Sequence, residues 1–111
     1  MPVVSKTDFV NTAASIDKDT AIKLLENDGF RQNAVIVNTD RSYTVWVGGL
    51  AAIASLKTVG VPIYPGQSFA TSSISELYAI ADDAVGANSI ALRIQTEEES
   101  KSFTTGTMDG S

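Results

Sequence analysis

The residues of this chain that could do chemistry are mostly carboxylates. Asp82-Asp83 is the tightest pair, Asp17-Lys18-Asp19 brackets a lysine, and Glu97-Glu98-Glu99 is a run. General acid–base work needs a carboxylate whose surroundings move its pKa. Consecutive acids in a polar turn are solvated and point apart, so Asp82-Asp83 reads as a turn. Asp17-Lys18-Asp19 lacks the other ligands of an EF-hand calcium loop, and its lysine opposes a cation. Glu97-Glu98-Glu99 reads as a solvated charge run, with recruitment of a basic patch on a partner as the alternative. The chain has no histidine and no cysteine. The commonest general base, the usual transition-metal ligand, thiol nucleophiles, zinc–thiolate sites and disulfides are therefore missing. The serines and threonines have no histidine with which to build a hydrolase triad. Gly48-Gly49 is not followed by Lys-Ser/Thr and lacks phosphate-loop spacing, so it reads as a strand end. The expectation is a protein that is not an enzyme, with no catalytic, cofactor-binding or metal-ligating residues and no cofactor.

The chain has 111 residues and a net charge of −5, from 13 acidic and 8 basic side chains. That length fits one domain with a single core. Phosphate neutralisation needs clustered Lys and Arg; here they are sparse and scattered, which disfavours nucleic acid and anionic membrane surfaces as partners. No apolar run reaches the roughly 18–20 residues of a spanning helix, and MPVVSKTDFV lacks the basic and apolar regions of a secretory signal.

The elements read as short strands. Asn33–Gly49 is the centre: Ala34-Val35-Ile36-Val37 and Tyr43-Thr44-Val45-Trp46-Val47 flank the polar break Thr39-Asp40-Arg41-Ser42. This predicts a β-hairpin of open turn type. Ala13–Ile16 and Thr20–Leu25 read as strands around a turn at Asp17-Lys18-Asp19. Leu50–Val59 reads as an ordered loop with a helical turn, closed by Gly60. Val61–Tyr64 is an edge or irregular strand because Pro62 lacks a backbone donor, and Pro65-Gly66 suits a type II turn. Strands follow at Gln67–Ala70, Glu76–Ile80 and Ser89–Gln95, the last with Ile90, Leu92 and Ile94 facing one way. Tyr43 and Trp46 should face opposite sides of their strand. About seven short strands predict an all-β antiparallel sandwich or jelly-roll-like domain over 13–96. An N-terminal arm, 1–12, precedes it and a polar C-terminal tail, 97–111, mobile when free, follows it.

In order, TAIKLLEN (Thr20–Asn27), Arg31, NAVIVNTD (Asn33–Asp40), VWVGG (Val45–Gly49), GVPIYPGQSF (Gly60–Phe69), ELYAIAD (Glu76–Asp82) and SIALRIQ (Ser89–Gln95) resemble the small β-sandwich domains of tailed-bacteriophage virion proteins. Such domains occur in capsid decoration or cement proteins, at head–tail junctions, in baseplates and in fibres. Gln67 departs from the acidic residue usual at its position, and Leu50–Val59 is more apolar than the usual loop. The resemblance implies a virion structural protein. The first expectation is a capsid decoration protein on the outer shell, assembled in the host cytoplasm. Its partners would be the major capsid protein and copies of itself, with trimers suiting local three-fold sites. A head–tail, tail-adaptor or baseplate component is the alternative within that class. A host-glycan binding module presenting Trp46 or Tyr78 is the alternative outside it. The expected protein-contact residues are Val4, Phe9, Val10, Leu50, Ile53, Leu56, Phe103 and Met108.

Overall fold

The computed structural model describes residues 7–99. Eight strands run in the order β1 (Thr7–Ile16), β2 (Ile22–Leu25), β3 (Arg31–Asn38), β4 (Val45–Gly48), β5 (Val61–Ile63), β6 (Ser68–Thr71), β7 (Leu77–Ala81) and β8 (Ile90–Glu99). They form two antiparallel four-stranded sheets, β1-β8-β3-β6 and β2-β7-β4-β5. Consecutive strands alternate between the sheets except at β4–β5. Eight antiparallel strands wound this way are a jelly roll. The core is the layer between the sheets: Ile16, Ile36, Ile90 and Leu92 from one meet Val45, Val47, Ile63 and Ala79 from the other. The alternation in β8 is as expected, with Ile90, Leu92 and Ile94 buried and Ala91, Arg93 and Gln95 exposed.

The predicted hairpin at Asn33–Gly49 is not formed. β3 pairs with β8 and β6, whereas β4 pairs with β7 and β5. Both runs bury alternate residues, and placing them in facing sheets lets the two apolar faces cover each other. The polar break between them is built to cross. The Asn38 amide donates to the carbonyls of Tyr43 (2.8 Å) and Ile63 (2.9 Å) and accepts the Asp40 N–H (3.0 Å), tying the end of β3 to the opposite sheet. Asp40 then accepts the N–H groups of Ser42 and Tyr43, both at 2.8 Å. Tyr43 packs on the core while Trp46 is half-buried on the outward face of β4, between its cross-strand neighbours Pro62 and Ile80.

Other turns follow their residues. Gly66 has φ +77° and the Gln67 N–H donates to the Tyr64 carbonyl at 2.9 Å, a type II turn. β5 is the edge of its sheet, where Pro62 costs no ladder bond. Residues 7–12, assigned to the arm, are the first part of β1, and Glu97–Glu99, assigned to the tail, are the last part of β8; Thr7 pairs with Glu99 and Phe9 with Glu97.

Leu50–Ser55 is a 3₁₀ helix and Leu56–Val59 one α-turn. This segment packs on the outward side of β4, where Gly48 leaves room for Leu56: a Cβ on Gly48 would sit 2.7 Å from Leu56 Cδ2. Lys57 pins the segment at its other side, donating to the Lys18 carbonyl (2.6 Å) and to Asp83 Oδ1 (2.5 Å). Gly60 closes it with its N–H on the Leu56 carbonyl at 2.8 Å. A Cβ at Gly60 would lie 2.5 Å from the Leu56 oxygen and 2.9 Å from the Val47 oxygen. Both are backbone atoms, so Gly60→Ala forces the segment off the sheet. We expect a loss of about 1–3 kcal/mol, the range for overpacking, read by thermal unfolding; an unchanged midpoint contradicts this packing.

Candidate interaction surface

The alternating crossovers give the sandwich two unlike ends. At one, the turns β1–β2, β3–β4, β5–β6 and β7–β8 meet, and they are polar. Asp17 Oδ1 accepts the N–H groups of Asp19 and Thr20, each at 2.9 Å, and these bonds hold its carboxyl below its ordinary pKa. Asp83 is also lowered, first by the hydrogen bond from Lys57. Lys18 pairs with Asp19 at 2.9 Å. Asp17, Asp19 and Asp83 are thus turn residues and ion-pair partners, whereas Glu97–Glu99 form the end of β8. Among the described residues no group of three potential ligands could hold a metal ion.

A carboxyl whose folded pKa is depressed stabilises the fold above its unfolded pKa, and that contribution is lost as pH falls through the folded value. The Asp17 turn therefore weakens below about pH 4, the unperturbed range of an aspartate. Asp17→Asn keeps an acceptor oxygen but cannot titrate. Its thermal midpoint should fall less steeply than wild type between neutral pH and pH ~3, in line with removal of one titrating group. An unaltered slope contradicts the role assigned to Asp17.

The other end gathers the β2–β3, β4–β5 and β6–β7 connections with the starts of β1 and β5. Asp28 N–H donates to the Ile74 carbonyl at 2.9 Å, joining the first and last of these loops. A shallow hollow lined by Asn27, Gly49, Leu50, Ala51, Ser75 and Glu76 joins the middle one to them. Here the large apolar side chains are exposed. Phe9 and Val10 lie on the start of β1, Phe30 before β3, Leu50 and Val59 at the two ends of the helical segment, Val61 on β5 and Ile74 before β7. Of the eight exposed large hydrophobics among the described residues, only Tyr64 lies at the polar end.

This end is held from beneath by Arg31, which is 4% exposed. Its guanidinium donates to the carbonyls of Glu26 (2.8 Å), Ser73 (2.9 and 3.2 Å) and Ser75 (2.7 Å). One side chain thus fixes the backbone of the β2–β3 and β6–β7 loops on which Phe30 and Ile74 stand.

Of the expected contact residues, Phe9 (66%), Val10 (42%) and Leu50 (61%) are exposed at this end. Ile53 is half-buried. Leu56 is removed from the set: at 2% exposure it is packed onto Gly48 and presents nothing to a partner. Val4, Phe103 and Met108 lie outside the described residues. Phe30, Val59, Val61 and Ile74 were missed. Val59 and Val61 flank Gly60 at the ends of two short apolar segments, and Phe30 and Ile74 stand beside turn signals; only the topology brings them together.

The outward face of β1-β8-β3-β6 holds a second, open hollow of about 580 Å³, lined by Asn11, Ala13, Val35, Val37, Arg93 and Gln95 among others. It contains amides, a guanidinium and aliphatic carbons, and no nucleophile paired with a base. Trp46 and Tyr78 are half-buried on the outward face of the other sheet, and the Tyr78 hydroxyl donates to Glu76 at 2.9 Å. No helix among the described residues is long and apolar enough to cross a membrane. Compared with known proteins, the chain matches no protein-family model and no curated protein.

Proposed function

We propose that this chain is a structural protein of a virion, a capsid decoration protein that docks through its apolar end on the major capsid protein of an assembled shell. The single observation that carries this reading is the polarity of the sandwich. Seven of the eight large exposed apolar residues among the described residues stand at one end, on loops and strand starts that also carry Glu26, Asp28 and Glu76, an arrangement suited to one-sided attachment through an apolar surface with a charged surround. Exposed apolar residues brought together on one surface mark interaction sites. The sequence likeness to virion sandwich domains supplies the kind of partner, and jelly rolls serve in capsids as well as in lectins. Fold by itself does not assign a function, which leaves the apolar end as the structural support.

The mechanism is mechanical. A protein that binds the assembled shell and not its separated subunits shifts the equilibrium toward the shell. A stable contact of this kind buries more than about 1,000 Å² in total, and three loops with the adjoining strand starts offer a broader footprint than one strand edge.

The test is co-sedimentation with assembled shells. Leu50→Glu combined with Ile74→Glu should weaken binding by about tenfold or more, as for truncated interface centres, while Arg41→Glu at the polar end leaves it unchanged. Equal binding by both variants contradicts docking through the apolar end.

A further inference from the structure

We infer that β1 pairs edge to edge with β1 of a second copy of this chain. A two-sheet sandwich has four edge strands, here β1 and β6 in one sheet, β2 and β5 in the other. Free edges attract other strands, and proteins blunt them by shortness, proline, lysine or bulges. Three of these edges are blunted. β5 has three residues and contains Pro62. β6 has four. β2 has four, carries the exposed Lys23 and breaks register between Lys23 and Leu25.

β1 has none of these devices. It has ten residues, TDFVNTAASI, with neither proline, lysine nor arginine. Its ladder to β8 is unbroken from Thr7↔Glu99 to Ile16↔Ile90, so it runs straight without a bulge. In an antiparallel pair alternate residues turn their N–H and C=O groups to the far side. About half of β1 therefore offers backbone bonds outward, and no strand among the described residues takes them.

The sequence of β1 selects another β1, antiparallel, as the occupant. Its first half carries the large Phe9 and Val10 and its second half the small Ala13, Ala14 and Ser15. Two-fold pairing centred on Thr12 sets Phe9 of each copy opposite Ser15 of the other and Val10 opposite Ala14, large against small on the same face, a self-complementary contact. It also places the strand's single charge, Asp8, at opposite ends of the joint; a parallel pairing would stack Asp8 on Asp8. The product is one eight-stranded sheet across two sandwiches. It is a two-fold assembly, unlike the trimer expected from shell symmetry. The inference rests on the fold and stands apart from the virion reading.

Sedimentation equilibrium on the full chain tests it. Consecutive residues point their amides to opposite sides, so one of Asn11→Pro and Thr12→Pro removes an N–H from the β8 ladder and the other from the open edge. The expected result is a wild-type dimer and one proline variant that folds normally with a dissociation constant raised by about tenfold or more. Asn11→Lys, which sets two lysines beside the two-fold axis, should give the same loss without touching the ladder. A wild-type monomer, a trimer, or a dimer that Asn11→Lys and every folded proline variant leave intact would overturn the inference.

Discussion

Arg31→Met will destabilise the domain by about 3 kcal/mol or more, a large share of the roughly 5–15 kcal/mol available to a domain of this size. Methionine can fill the space of the stem but cannot donate. The carbonyls of Glu26, Ser73 and Ser75 then lose the donors that hold them at 2.7–3.2 Å. Hydrogen bonds to a charged group contribute about 1.5–3 kcal/mol each, and water entering from the loop side restores part of the loss. Arg31→Lys should lie between wild type and Arg31→Met, because an ammonium keeps the charge but not the planar fork that reaches Ser73 with two nitrogens. Chemical denaturation decides it: a loss under about 1 kcal/mol for Arg31→Met means that the carbonyls find other donors and the loops are not held by this side chain. The same substitution should weaken shell binding beyond its effect on folding, since Phe30 and Ile74 stand on the released loops.

Asn38→Asp has a comparable effect and an unusual pH signature. Asn38 is fully buried, and its amide is used completely across the sheets: two donations, to Tyr43 and Ile63, and one acceptance, from Asp40. A carboxylate there would face two carbonyl oxygens without a proton to give. The new carboxyl is therefore stabilised in its protonated form, and its folded pKa rises above the unfolded value of about 3.9. A raised folded pKa means that the variant is most stable at acid pH and loses stability as pH rises through the folded value. At neutral pH we expect a loss of about 3 kcal/mol or more, from the orphaned carbonyls and the buried charge together. Asn38→Leu should cost a similar amount with no such pH dependence. If Asn38→Asp is not more stable relative to wild type at pH ~4 than at neutral pH, the buried bonding scheme is wrong.

These two residues also show where the sequence stops being legible. The strands could be read because their residues alternate, as in Ser89–Gln95, or are β-branched, as in Ala34–Val37. Pro65-Gly66 announced its turn through φ alone. Pairing was another matter. Two β-rich runs four residues apart satisfy a hairpin and a crossover equally, and the difference lies in Asn38, whose partner Ile63 is 25 residues away. Leu56 read as an exposed contact because its burial depends on the absence of a side chain at Gly48. Arg31 stood out only as part of a motif; nothing in its neighbours says that three backbone carbonyls would close around it. The apolar end was the least visible feature. Phe9, Phe30, Leu50 and Ile74 come from four separate parts of the chain, and only the jelly-roll crossovers bring them to one side. The aspartates at Asp17 and Asp40, by contrast, sit in turns as their local sequence indicated, because Asx turns bond within two or three residues, whereas Glu97–Glu99, assigned to the tail, extend β8.

The measurement that bears most directly on the account is the copy number of this protein in purified virus particles, counted against the major shell protein by quantitative mass spectrometry. Decoration of the shell through the apolar end predicts copies in the hundreds, in fixed proportion to the shell protein. A handful per particle would place the chain at the tail axis or a vertex. Absence from washed particles would contradict the account.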